Sequence, residues 1–375
     1  MPGMARNAEV GGGPYTPLMH VLIAPDSFGQ TLTAVEAAAA MAAGWSAARP
    51  GDTVVVAPQS DGGPGFADVI AASLGGLRST TVEGPLGRAA AAQWVLADGV
   101  AYLESAQAVG LALLDGRPTP ESALQAHSRG VGQLIASALD AGAGRIVVGL
   151  GGSCCTDGGR GMIDALGGLA TARLRLAGVE LVAATDVEHP LLGEHGAARV
   201  FGPQKGADAD TVELLERRNE DWASRLHDAT GRAVEALPGA GAAGGLGAAL
   251  LALGAVRESG ASVVAECTGQ EGQLAAADLV LTGEGRFDHQ SLRGKLVTSL
   301  AVKAGRAGVP IVVIAGQVAL DEATVRAAGI AQAVSVAEFA GSVERAMQEA
   351  ATQLRSLTSA VSVHWGRSDA SRGDT

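Results

Sequence analysis

The chain has little of several things, and each shortage narrows what it can be. Its 375 residues carry three cysteines, Cys154, Cys155 and Cys267. Their spacing fits no zinc pattern, and adjacent cysteines rarely bridge one another. Reduced thiols in a cytoplasmic protein are therefore expected. Aromatics are scarce, with five Phe, four Trp and two Tyr, while hydrophobic residues make up 47% of the chain. The core must be built from Ala, Val, Leu and Ile, which suits closely packed α/β layers. Basic residues are outnumbered 27 to 39, a formal net charge of −12, so no basic stripe is available for nucleic acid. No apolar run reaches the roughly 18 residues of a membrane span, and residues 1–17 lack the apolar segment of a signal peptide. The P-loop pattern, the nucleophile elbow and the HExxH zinc pattern are also absent.

What is abundant is glycine, at 54 residues. The stretch that organises the chain is Arg145–Gly168, RIVVGLGGSCCTDGGRGMIDALGG. Its β-branched opening predicts a strand, its glycines a turn, and Met162, Ile163, Ala165 and Leu166 a helix. Such a strand–turn–helix aims backbone N–H groups at an anion, with Gly151, Gly152, Ser153, Thr156 and Asp157 at hand for phosphate or its Mg²⁺. A tight turn without a ligand is the plainer alternative.

Ahead of it, His20–Ala24 reads as a strand ending at Asp26 and Ser27. Thr33 and Glu36 form a capping box for a helix to about Ala48. Thr53–Ala57 is a second strand, Asp61–Gly65 the loop after it, and Phe66–Leu74 a helix. Loops at strand C-termini in this rhythm predict a parallel sheet with a ligand crevice. Thr80–Glu83 and Ala92–Leu96 then read as a hairpin, which breaks the rhythm. Further on, Val131–Ala141, Asp210–Thr230, Leu246–Val256, Leu296–Ala307, Leu320–Ala328 and Val343–Leu357 read as helices. Val179–Ala183, Asp278–Leu281 and Ile311–Ile314 read as strands. Both chain ends are expected to build one sheet, with the middle as an inserted domain. The boundaries are 1–18 for a flexible extension, 19–78 with 277–365 for the discontinuous domain, 79–276 for the insertion and 366–375 for a flexible tail.

Three more stretches could carry chemistry. Thr185-Asp186-Val187 followed by Phe201–Gly206 pairs an acid at a strand end with Lys205 in a glycine-flanked turn, a base-or-metal residue beside a phosphate clamp. A turn Asp and a surface Lys are as good a reading from these residues alone. Thr282–Lys295 sets Glu284, Arg286, Asp288 and Lys295 in one loop after a buried strand, where Arg286 could clamp a carboxylate. Gly239-x-Gly241-x-x-Gly244 has a dinucleotide spacing but lacks the preceding strand, so close packing of Gly244 and Gly245 against a ligand or backbone is the better reading.

Taken together, the motifs resemble the type-1 glycerate kinase family over about residues 20–340. They are APDSF at Ala24–Phe28, DGG at Asp61–Gly63, GPLG at Gly84–Gly87, GLGGS at Gly149–Ser153 and DGGRGM at Asp157–Met162. DV at Asp186–Val187, VFGPQKGA at Val200–Ala207, GAGAAGGLGAAL at Gly239–Leu250 and LTGEGRFD at Leu281–Asp288 complete the set. The resemblance implies a flavodoxin-like parallel-sheet domain from both chain ends, an inserted mixed α/β domain and an active site between them. It also implies ATP- and Mg²⁺-dependent phosphorylation of D-glycerate, with no nucleic-acid or membrane partner, by a monomer or homodimer. In that scheme Asp186, Lys205 and Asp157 are the catalytic candidates, Asp186 also on Mg²⁺. Glu284, Arg286, Asp26, Ser27 and Asp61 bind substrate, and Gly151, Gly152, Ser153, Gly244 and Gly245 bind ATP. The chain departs from the family pattern at Gly29 and Gln30, where Lys and Gly are usual, and at Pro64 and Phe66, where Glu and Thr are usual. It departs again at Cys154, Cys155, Thr156, His189 and Val297. A changed substrate, or a binding homologue without turnover, stays open on these grounds.

Overall fold

A computed structural model describes residues 18–292 and 296–368. Lys295, nearly all of the expected N-terminal extension and most of the expected tail lie outside the described residues. Two central sheets organise the rest. The chain enters through β1 (His20–Ile23) and β2 (Thr53–Val56), then builds β3 (Leu77–Glu83), β4 (Ala89–Ala97), β5 (Val100–Glu104), β6 (Arg145–Gly149), β7 (Glu180–Ala184) and β8 (Val256–Glu258). It continues through β9 (Leu279–Thr282), the short β10 (Arg286–Phe287), β11 (Ile311–Ala315), the short β12 (Gln317–Val318) and β13 (Gln332–Ser335).

The first sheet has the order β13-β11-β9-β1-β2, with every neighbouring pair parallel. Numbered along the chain within this sheet, that is the flavodoxin order 2-1-3-4-5. Its inner strands β1, β9 and β11 are buried on both faces, which is why they read as continuous apolar runs rather than alternating ones. Val21, Ile23, Leu279, Leu281 and Ile314 meet Met41 and Trp45 of the helix Ala34–Ala48 and Leu354 of the helix Ala350–Ser368. Leu22, Val280 and Val313 meet Leu300 and Ala304 of the helix Leu296–Ala307 on the other face. The Thr33–Glu36 capping box forms as expected.

The second sheet, β3-β4-β5-β6-β7-β8, is antiparallel from β3 to β5 and parallel from β5 to β8. The hairpin around Gly84–Gly87 is present. One face carries the largest apolar cluster, in which Leu134, Ile135, Met162 and Leu246 come from helices over Arg129–Asp140, Arg160–Ala165 and Ala242–Ala252. The other face is covered by Phe66, Val69 and Ile70 of the helix Phe66–Leu74, with Val263 and Val264 of Gly260–Cys267.

Three expected elements change at their edges. The Ala/Leu helix stops at Ala252, because Gly254 turns at φ +103° and Val256 then starts β8. The final helix breaks at Glu349 into Val343–Gln348 and Ala350–Ser368. The helix expected over Leu320–Ala328 shortens to Glu322–Ala327, with Asp321 as its N-cap. β5 and β13 were not anticipated, since Val100–Glu104 and Gln332–Ser335 are short and only the surrounding sheet identifies them.

Candidate active site

Strand order in the first sheet reverses between β1 and β9, and the crevice at such a point is where open α/β sheets take ligands. The chain puts Asp26 just past the end of β1 and Glu284 just past the end of β9. The Asp26 amide donates to the Gly283 carbonyl at 2.8 Å. The Thr282 hydroxyl and the Gln59 amide both donate to the Ala24 carbonyl, at 2.7 and 2.6 Å, so the two strand ends are pinned together.

The second sheet presents its own strand ends to the same space. The loop after β6 carries Gly151–Ser153, and the loop after β7 carries Thr185 and Asp186. Between the sheets lies the Asp61–Gly65 loop, and glycine is required where it crosses the loop after β6. A Cβ on Gly151 would stand 2.5 Å from the Gly63 Cα. That backbone-on-backbone contact brings Asp61 to the strand ends of the second sheet, and the Asp61 carboxylate accepts from the Gly63 amide at 3.0 Å. The buried Glu104 holds the far side of this loop by accepting from the amides of Gly65 and Ala67, each at 3.1 Å. Burial pushes the Glu104 carboxyl up to about 7.

The result is a cleft of about 1030 Å³ lined by Asp26, Asp61, Gly151, Gly152, Ser153, Asp186, Lys205, Gly244 and Glu284. Nine residues singled out from six separate stretches of the sequence thus line one cleft. Asp186 accepts from the Ala261 amide at 3.2 Å. Lys205, only 3% exposed, reaches in from the turn Pro203–Lys205. Its Nζ donates to the Ser153 hydroxyl at 2.9 Å and to the Cys155 carbonyl at 2.7 Å, which leaves one of its three N–H groups for a ligand oxygen. Burial lowers its pKa, partly countered by the neighbouring Asp157. Across the cleft, burial raises the Asp26 carboxyl to about 7, helped by the charges of Asp61 and Glu284 and opposed by its hydrogen bond from the Ser27 amide. A cation on one side and a crowded acidic set on the other is an arrangement for holding a polyanion together with a metal.

Four expected site residues sit elsewhere. Ser27 and Arg286 line an adjoining hollow of about 440 Å³ that shares Asp26 and Glu284 with the cleft. There Arg286 contacts Asp288 and Gln317, both at 3.3 Å. Gly245 packs its backbone on Gly158. Asp157 lines a third hollow, and its carboxylate is taken up by the amides of Ser128, Gly159 and Gly161 and the Ser128 hydroxyl, at 2.8 to 3.1 Å. Cys154 and Cys155 are buried thiols, with Cys154 raised to about 11 by burial. The cleft also contains Glu188, His189, His195 and Gln204, which the sequence reading did not select. For three of them the signal was proximity in the chain, since Glu188 and His189 lie two and three residues past Asp186 and Gln204 precedes Lys205. His189 is held by a 2.9 Å contact from Nδ1 to the His195 carbonyl and lies edge-on to Phe201.

The fold is α/β, and the cleft lies where the strand ends of its two sheets converge. The chain belongs to the glycerate kinase family, whose model matches residues 21–173 and 169–365, and is thereby an enzyme of the phosphotransferase type. It is 59% identical over 354 residues to an uncharacterized protein of Mycobacterium tuberculosis (strain CDC 1551 / Oshkosh), covering 94% of this chain and 93% of that one. It is 39% identical over 361 residues to the glycerate kinase of Bacillus subtilis (strain 168), covering 89% and 94%. The crystal structure of putative glycerate kinase 2 from Salmonella typhimurium LT2 superposes with a TM-score of 0.78 at 33% identity, covering 94% of this chain and all of that one.

Proposed function

We propose that this protein transfers the γ-phosphoryl group of ATP to a hydroxyl of D-glycerate or a similar short hydroxy acid. The observation that carries the reading is the buried Lys205, fixed by Ser153 and the Cys155 carbonyl, facing the Asp26, Asp61 and Glu284 carboxylates across one cleft. The triphosphate lies along Gly151–Ser153 and Gly244, where the remaining Lys205 N–H neutralises the oxygen that gains charge. The acid sits towards Asp26, Ser27 and Glu284, with the Arg286 guanidinium on its carboxylate. Asp186 orients the attacking hydroxyl.

Magnesium suits the donor set. Burial, with the nearby Asp61 and Glu284 charges adding to it, raises Asp26 to about 7, and a bound divalent cation would favour its ionised form. Among the described residues no three His, Cys, Asp or Glu side chains gather closely enough to hold a metal alone. Mg²⁺ accepts such sites, taking one or two carboxylates and completing its shell with phosphate and water. Asp186, with Asp26 or Asp61, would hold it, and when bound it offsets charge on the transferred phosphoryl group. Among the described residues no helix is long and apolar enough to cross a membrane, and the buried thiols suit a cytoplasmic enzyme.

A coupled ADP-release assay with Mg·ATP and D-glycerate, run beside L-glycerate and other short hydroxy acids, tests the reading. Turnover is expected with D-glycerate, falling about 10²- to 10³-fold in Lys205→Met. Undiminished turnover in Asp186→Ala would remove its assigned role. ATP binding with no turnover on any acid would instead favour a binding homologue, consistent with the Gly29 and Pro64 departures.

A further inference from the structure

The third hollow, of about 310 Å³, lies outside the cleft and carries an unusual charge for so acidic a chain. It is lined by His127, Arg129, Thr156, Arg160, Asp164 and Arg218 together with Gln125, Asp157 and apolar neighbours. Asp157 spends its carboxylate on the four donors named above, so little of its charge is turned to the hollow. Arg129 and His127 pair with Glu83 at 3.1 and 3.3 Å. Arg160 and Arg218 differ: among the described residues neither forms an ion pair with a carboxylate, Asp164 included. Each is nonetheless held in place. The Arg160 guanidinium lies 5.1 Å from the Trp222 ring centroid, and the Arg218 guanidinium donates to the Leu124 carbonyl at 3.1 Å. The Arg160 Nε is buried with no protein acceptor among the described residues. Thr156 is 1% exposed, and its hydroxyl is likewise buried without a protein partner. A buried hydroxyl left unmatched is costly, so a donor pair of this kind beside two uncompensated guanidiniums points to a ligand that satisfies them.

We propose that this hollow binds a small phosphate-bearing anion, clamped by Arg160 and Arg218 and receiving a hydrogen bond from the Thr156 hydroxyl. Two planar guanidiniums and a hydroxyl match the tetrahedral oxygens of phosphate, and the volume admits a ligand of a few carbon atoms. The Ser153–Asp157 loop runs from the cleft to this hollow. An anion bound here therefore bears on the same backbone whose Cys155 carbonyl fixes Lys205.

Calorimetric titration of the full chain at constant ionic strength tests this, with inorganic phosphate and glycerol 3-phosphate as separate probes. Binding of at least one is expected, and the two arms tell free phosphate from a phosphate ester. Arg218→Gln should weaken it about tenfold or more. Arg160→Gln should do the same. Arg218 is exposed on the helix Ala209–Thr230, so its variant keeps the fold even if loss of the Trp222 stack unsettles the other. Arg217→Gln, next along the same helix but outside the hollow, should leave affinity unchanged. Absence of saturable binding with both probes overturns the proposal. So does binding that survives in Arg218→Gln and disappears in Lys205→Met, because that places the anion in the cleft.

Discussion

Gly244 shows how one residue position couples two loops. It adopts φ +69°, and a Cβ there would collide with the Cys155 carbonyl oxygen, the same oxygen that receives the Lys205 ammonium. Gly244→Ala should therefore cost about 1–3 kcal/mol from overpacking, with left-handed strain of about 1 kcal/mol in addition. Chemical denaturation reads that loss, and the kinase assay should show a lower kcat because the loop that holds Lys205 has moved. Unchanged stability and turnover would mean the loop absorbs the methyl group. The glycine spacing at 239, 241 and 244 was visible in the sequence as dense packing rather than a dinucleotide fingerprint. What the glycine packs against was not visible, because Cys155 is far away along the chain.

Among the elements, the helix Phe66–Leu74 and the loop before it depend on a residue that no motif marks. Glu104 ends β5 and accepts the amides of Gly65 and Ala67, fixing where Asp61 enters the cleft. Glu104→Ala should destabilise the protein by about 2 kcal/mol, since two donors lose their acceptor in a buried place. It should also raise KM more than it lowers kcat, because Asp61 is displaced while Lys205 is untouched. Urea unfolding and steady-state kinetics separate these effects, and an equal fall in kcat would show that the loop serves the chemical step instead. Ala34–Ala48, through its capping box, and Leu296–Ala307, through its apolar period, were legible from the chain alone. β5, β8 and β13 were not, because a strand of three to five residues is defined by the neighbour that completes its hydrogen bonds.

For the whole molecule, two raised carboxyls make stability depend on pH. Asp26 and Glu104 are both lifted to about 7, from ordinary values of 3.8 and 4.5. Between those limits the folded chain keeps protons that the unfolded chain has released. Their contribution to stability is therefore greatest below about pH 4 and is lost as pH rises through 7. Thermal unfolding should give a lower Tm at pH 8 than at pH 5.5, with a smaller difference in Asp26→Asn. Mg²⁺ should raise Tm more at pH 8 than at pH 5.5, since it binds the ionised carboxylates. A pH-independent Tm would mean that Asp26 titrates as an ordinary surface acid.

The sequence by itself determined the α/β class, the glycine turns at strand ends and nine of the residues that line the cleft. These follow from local rules: apolar period, caps, and loops whose backbone needs glycine. Tertiary structure alone decided which of those loops meet. It joined β1 to β9 across more than half of the chain, set Asp61 against the loop after β6, and turned Asp157 and Arg286 away to neighbouring hollows. Such contacts depend on how two sheets stack and where their strand ends converge, a property of the packed layers that no single segment encodes.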